Sequence, residues 1–443
     1  MLVTRTGRRH FGMRPSPRLR ALLLVAGAAL LALALAVPAQ GAPSFSTRLP
    51  IVVIDADGPI VDEPKVGARM RVIHNGRGAL NRPTGRPTVY DGRIGIEVRG
   101  QSSQRFPKKQ FGFETIDRAG DNRNVSLLGL PEENDWVLYA AYNDGTLLRN
   151  VVAYRAARQT GRYASRTRFV EVVLNGRYWG VYVLMERLKL DKNRVSDPAG
   201  DSDGFLLEYT HPSKIDPGDR YFRTPVTRTP IIYDDPERGD MTRARAAEIA
   251  RRVGAFERAL YGGEFRHPTR GWRAHLDVEA AVDYVLLYEL FRNYDALAAS
   301  TFIHEAEDGK LALGPLWDFD LSMGNPASLL PPRGCSLCNR RWTQRLYKDR
   351  GFVRAMTRRW TELRRQGLLR TTLASIERDA RALQASQVRN LRRWPVLSFT
   401  PLSASAPEAS LRASYRGETN RLRNWILVRA GWLTATLPRI NRL

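Results

Sequence analysis

Hydrophobic and polar positions follow a two-residue period through much of the first half of this chain and a helical period through the second. Ile51 to Asp55 reads as a short apolar strand. From Arg93 to Arg99, Ile94, Ile96 and Val98 alternate with Arg93, Gly95, Glu97 and Arg99, the pattern of a half-buried strand. Gly100-Gln101-Ser102-Ser103 is a small polar turn, and Lys108 to Glu114 resumes a strand with Phe111 and Phe113 on one face. Asn175-Gly176, between apolar runs, predicts a type I′ hairpin because both residues tolerate positive φ. Leu147 to Thr160 reads as a helix ending at Gly161, and Asp203 to Tyr209 as a further strand. Beyond about residue 236 the spacing is mainly helical. Arg243 to Leu260 is a helix; Asp277 is placed to cap Val278 to Asn293, which is apolar nearly all round and therefore buried. Thr301 to His304 and Lys310 to Leu316 form a strand pair. Long arginine-rich helices with solvated faces run from Phe352 to Asn390, and a last helix from Glu418 to Leu437 follows a Pro/Ser/Ala loop. The pattern predicts an α+β fold with two lobes, β-rich over about 51–235 and mostly helical over about 236–437, without internal repeats.

The segment before this domain has its own composition. Six arginines and no acid in the first twenty residues precede an Ala/Leu-rich run, Ala21 to Val37, and then small residues to Ala42. That order reads as a secretory signal over residues 1–42, with an uncleaved N-terminal membrane anchor as the alternative; 43–50 reads as a linker. The expected location is secreted or cell envelope, with membrane contact only if the segment is retained. The formal net charge is +25, and +19 remains without the six leader arginines. Such a charge suits an anionic envelope polymer or an acidic protein substrate. Nucleic acid has only charge in its favour, since no zinc knuckle or RNA-binding signature occurs, and it is not expected as a partner. The two cysteines, Cys335-Ser336-Leu337-Cys338, predict a short disulfide in an exported chain rather than a zinc or redox site. Only eight lysines occur, so the pair Lys108-Lys109 marks a place where a compact ammonium is wanted.

The densest chemistry lies in Gly314-Pro315-Leu316-Trp317-Asp318-Phe319-Asp320, followed by Gly324-Asn325. Two carboxylates in an apolar setting ask for a cation. The run resembles the Asp-Phe-Gly metal site of protein kinases, with Asp in place of Gly. Upstream, Asn293-Tyr294-Asp295 follows the buried helix, where a carboxylate opposes the helix dipole. Bland readings exist for each group: a structural turn or calcium site for Asp318 and Asp320, a helix-end cap for Asp295, an edge-strand charge for the lysines, and a cap with a salt bridge for Asp144, Arg149 and Asn150.

Several ordered motifs together are more specific. Arg99-Gly100-Gln101-Ser102-Ser103 with Phe106-Pro107-Lys108-Lys109, then Asp135-Trp136, Asp144-Gly145-Thr146-Leu147-Leu148-Arg149-Asn150, Asn175-Gly176-Arg177-Tyr178-Trp179-Gly180, Asn293-Tyr294-Asp295 and Trp317-Asp318-Phe319-Asp320 resemble the spore coat protein H (CotH) kinase family over roughly residues 50–437. The resemblance implies an atypical secreted protein kinase using ATP and Mg²⁺ or Mn²⁺ to phosphorylate Ser or Thr of secreted or envelope proteins. By the same resemblance Asp295 is the catalytic-loop carboxylate and Asp318 a metal ligand, with Asp320 a second ligand or a support. Ser300 stands where kinases carry a metal-binding Asn. Lys108 or Lys109 would contact phosphate, and Arg99, Ser102 and Ser103 would replace a glycine-rich loop. A non-catalytic envelope-binding relative and an AMP-transferring one are the alternatives.

Overall fold

The computed structural model describes residues 43–196, 204–236, 241–326 and 330–442; the expected signal or anchor lies outside them. Seven strands close into a barrel: β1 (Ile51–Ala56), β2 (Val66–Ile73), β3 (Tyr90–Arg99), β4 (Gln110–Ile116), β5 (Asp135–Tyr139), β6 (Thr167–Leu174) and β7 (Arg177–Glu186). They run in the order β1-β2-β3-β4-β5-β7-β6, and a parallel pairing of β1 with β6 closes the ring. Alternation decides what goes inside. Ile94, Ile96, Val98, Phe111 and Phe113 fill the interior with Trp136, Leu138, Tyr182 and Leu184. Asn175 and Gly176 take φ of +47° and +72°, the turn that their dipeptide predicts. The outward residues of β5 and β7, Val137, Tyr139, Val181, Val183 and Met185, instead join the core of the helices. That contact seats α1 (Arg149–Gln159), between β5 and β6 in sequence.

A second sheet has the order β12-β11-β8-β10-β9, built from β8 (Leu206–Tyr209), β9 (Tyr221–Arg223), β10 (Pro230–Asp235), β11 (Thr301–Glu305) and β12 (Leu311–Leu313). Residues 206–235, β-rich by their pattern, thus pair with strands nearly a hundred residues later, Thr301 lying opposite Tyr209. Periodicity identifies a strand but not its partner.

Six further α-helices lie among the described residues: α2 (Arg243–Tyr261), α3 (Val278–Phe291), α4 (Arg341–Tyr347), α5 (Arg350–Arg365), α6 (Leu368–Arg393) and α7 (Glu408–Thr436). The Asp277 side chain caps α3 by accepting from the Glu279 and Ala280 amides, and every residue from Ala280 to Phe291 is buried. Glu289 on α3 pairs with Arg429 on α7 at 2.6 Å, with neither side chain exposed. Glu289 also accepts from the Ser336 and Leu337 amides, holding the loop that the Cys335–Cys338 disulfide closes, as the sequence predicts. The presumed linker 43–50 carries no strand or helix, yet Thr47 is buried against Asn81 and Ser386. Among the described residues no helix is long and apolar enough to cross a membrane.

Candidate active site

Strand β12 ends at Leu313, and the chain then enters the acidic loop. Asp318 sits at φ +58°, a left-handed conformation that a residue with a Cβ adopts only when its surroundings hold it there. Those surroundings are specific. The Asp318 amide donates to the Tyr154 hydroxyl (3.2 Å) and the Phe319 amide to Asn150 Oδ1 (2.5 Å), both on α1. Asn293 Nδ2 donates to the Asp318 carbonyl (2.7 Å), and the Tyr294 amide to the Leu321 carbonyl (2.9 Å). Phe319 is fully buried against Tyr288 and Phe291 of α3, with ring centroids 4.9 and 6.1 Å away. Gly324 fits its place twice over: its φ is +75°, and an added Cβ would lie 2.6 Å from the Trp425 ring.

The carboxyls gathered here are frustrated. Burial, followed by Asp320 and Asp295, pushes the Asp318 carboxyl well above the usual carboxylate range. Burial raises Asp320 too, opposed by a hydrogen bond from Asn143 Nδ2 at 2.7 Å. Among the described residues neither Asp318, Asp320 nor Asp295 forms a salt bridge. The Tyr139 hydroxyl, buried within the field of Asp320, Asp144 and Asp318, has no hydrogen-bond partner among the described residues. The side chain of Asn293 accepts from the Asp295 amide at 2.9 Å, which fixes the turn that presents Asp295.

Facing this loop is the end of β3. The Arg99 guanidinium lies over the Trp317 ring, 5.6 Å from its centroid, and interacts with Asp318. Burial and Arg187 depress its pKa, while Asp234, Glu97 and Asp318 oppose that shift. Ser102 and Ser103 lie in a short 3-10 turn, Ser102 exposed and Ser103 Oγ accepting from Gln110 Nε2 at 2.6 Å. Gln101 reaches across to the Lys214 carbonyl (2.8 Å) and Asp216 (3.2 Å).

The two lysines part company. Lys108 is buried, donating to the Val181 carbonyl (2.6 Å) and Asn390 Oδ1 (3.0 Å) with its ammonium 4.7 Å from the Tyr182 ring centroid. Burial holds its pKa well below the ordinary lysine value. Lys109 donates to the Gln104 carbonyl. The lysine whose charge reaches Asp318 is Lys214, which no sequence motif marks. Ser300, at φ +49°, gives its amide to Glu208 Oε1 at 3.0 Å. Glu208 is itself raised to about 7, chiefly by burial and then by Asp234. Glu208, Lys214, Asn143, Tyr139 and Tyr154 are the residues that sequence reasoning missed; each comes from a segment whose placement depends on long-range pairing.

Asp144 and Arg149 prove to be a buried structural pair. The Asp144 carboxylate accepts from the Thr146 and Arg149 amides and pairs with the Arg149 guanidinium. Arg149 Nε donates to the Ser322 carbonyl at 3.1 Å, so the pair braces the acidic loop.

The donor set fits a divalent cation. Two half-buried carboxyls two residues apart form no salt bridge among the described residues, the charges of Arg99 and Lys214 reaching Asp318 without an ion pair, and a buried hydroxyl beside them lacks a partner among the described residues. No group of three or more His, Cys, Asp or Glu forms a complete ligand cage among the described residues. An octahedral ion bound through one or two carboxylates, with phosphate and water oxygens completing its shell, matches that count.

The described residues form a mixed α+β chain in which a seven-stranded barrel packs on a helical body. Residues 96–433 match the family model described as CotH kinase protein, and the chain belongs to the CotH kinase family. No curated protein sequence matches it significantly.

Proposed function

We propose that this protein is an exported, two-lobed atypical protein kinase that transfers the γ-phosphoryl group of ATP to Ser or Thr hydroxyls of secreted or envelope proteins. The observation carrying the reading is the crowding of Asp318 and Asp320, neither of them in a salt bridge among the described residues, beside Asp295. Mg²⁺ or Mn²⁺ bound with ATP would neutralise developing charge on the phosphoryl oxygens. Asp318 and Asp320 would hold that ion. Asp295 orients the acceptor hydroxyl and takes its proton as the hydroxyl oxygen bonds to phosphorus and ADP leaves. Arg99, anchored over Trp317, supplies positive charge from the barrel side, and Lys214 supplies it from the opposite loop. The Ser102–Arg105 turn, between β3 and β4 and directly after Arg99, would serve as the phosphate-covering loop. Buried Lys108 instead bonds the barrel to α6 through Asn390.

Mass spectrometry of a protein mixture incubated with ATP and Mg²⁺ tests the chemistry. Phosphate on Ser or Thr supports the reading; adenylate on the product supports AMP transfer and rejects it.

A further inference from the structure

The chain's positive charge is concentrated. Residues 341–443 hold 22 Lys and Arg against six Asp and Glu, whereas residues 43–340 hold 42 against 39. Within the basic region α5 has a distinctive face. Phe352, Val353, Met356, Trp360 and Leu363 are buried, while Arg350, Arg354, Arg358, Arg364 and Arg365 are exposed. None of these five forms a salt bridge or side-chain hydrogen bond among the described residues, whereas Arg359 on the helix flank pairs with Asp283 (2.7 Å) and Glu362 (3.1 Å).

Like charges at i and i+4 weaken a helix, and Arg350, Arg354 and Arg358 repeat that conflict twice. The apolar side of α5 is committed to the core, so it cannot enter a lipid surface as an interfacial helix does. What remains is a single-sign row of guanidinium groups. Steps of four residues place Arg350, Arg354 and Arg358 about 6 Å apart along the axis, and Arg365 continues the row about 10 Å further on, about 22 Å from Arg350. On an extended polypeptide, side chains of one face recur about every 7 Å. A segment with acids at alternate positions would therefore meet this row nearly one charge to one.

We propose that the outer face of α5 is a docking surface for an extended acidic segment of a polypeptide partner. The inference rests on the protein-substrate reading above, and it names the substrate's distinguishing chemistry. Charge complementarity and the one-dimensional spacing carry it; nucleic acid has no recognition motif in this chain.

The test uses purified protein without nucleotide and a dye-labelled peptide alternating Glu and Gly, read by fluorescence anisotropy. Arg354→Glu with Arg358→Glu should weaken binding by at least about tenfold, because attractive contacts become repulsive. Arg370→Glu with Arg381→Glu, the same charge change on exposed positions of α6, should weaken it by less than about twofold. Equal losses in the two variants, or none in the first, would overturn the proposal. So would preferential binding of DNA, inorganic polyphosphate or phosphatidylglycerol vesicles through Arg354 and Arg358 without competition from the peptide. An enzyme lacking phosphoryl transfer yet showing the α5-dependent binding would reject the kinase reading alone. Turnover of an acidic protein with unchanged KM in the α5 variant would reject the docking alone.

Discussion

Asp318 combines a left-handed backbone with a half-buried carboxyl that Asp320 and Asp295 both repel, so its charge is costly until a cation arrives. Asp318→Asn should therefore raise the melting temperature in a metal chelator, by an effect on the order of 1 kcal/mol, while abolishing stabilisation by Mg²⁺ and ATP. Thermal unfolding in the two buffers checks both halves, and an unchanged response to Mg²⁺ and ATP would contradict the metal assignment. Glu208 gives a pH signature. Its carboxyl rises from 4.5 to about 7 on folding, so the folded state binds the proton more tightly. The stability this contributes is complete below about pH 4.5 and is lost as pH rises through about 7. Glu208→Gln should flatten that loss, leaving the variant more stable than wild type at pH 8 by roughly 1–2 kcal/mol in urea unfolding.

At the scale of elements, the acidic loop is held from three sides: α1 through Asn150 and Tyr154, the turn after α3 through Asn293 and Tyr294, and α7 through the packing of Trp425 on Gly324. Arg149 joins two of these supports, since Glu418 of α7 lies 3.3 Å from its guanidinium and Asp144 shares the same group. Arg149→Ala would leave the buried Asp144 carboxylate without a countercharge, Glu418 keeping Arg421, and should cost about 3–5 kcal/mol in urea denaturation. A loss within about 0.5 kcal/mol would contradict the bracing role. Much of this framework was legible in advance. Barrel strands, the Asn175-Gly176 hairpin, the Asp277 cap and the disulfide each depend on residues close in sequence. The site was legible only in part. Asp295, Asp318 and Arg99 converge, but Lys214 and Glu208 enter through β8 and its following loop, whose sheet partner β11 is distant in sequence. The adjacent lysines were informative by rarity, yet Lys108 is used to fasten Asn390 of α6 to the barrel.

Across the whole molecule, a barrel and a helical body meet at the acidic loop, and the two carry different electrostatics. The carboxyls of the site are crowded together, whereas most of the excess positive charge lies on the helices of residues 341–443. That separation lets a basic surface capture an acidic protein without neutralising the groups that hold a cation. Family membership makes kinase-related chemistry the expectation, and the roles given to Asp295 and Asp318 are the central claim. The direct measurement is Mg²⁺-dependent transfer of γ-labelled phosphate from ATP to protein by wild type, Asp295→Asn and Asp318→Asn, with folding followed by circular dichroism. The account predicts transfer by wild type and a loss of at least about a hundredfold in each folded variant. Wild-type rates in either variant, or no transfer by wild type to any protein supplied, would contradict it.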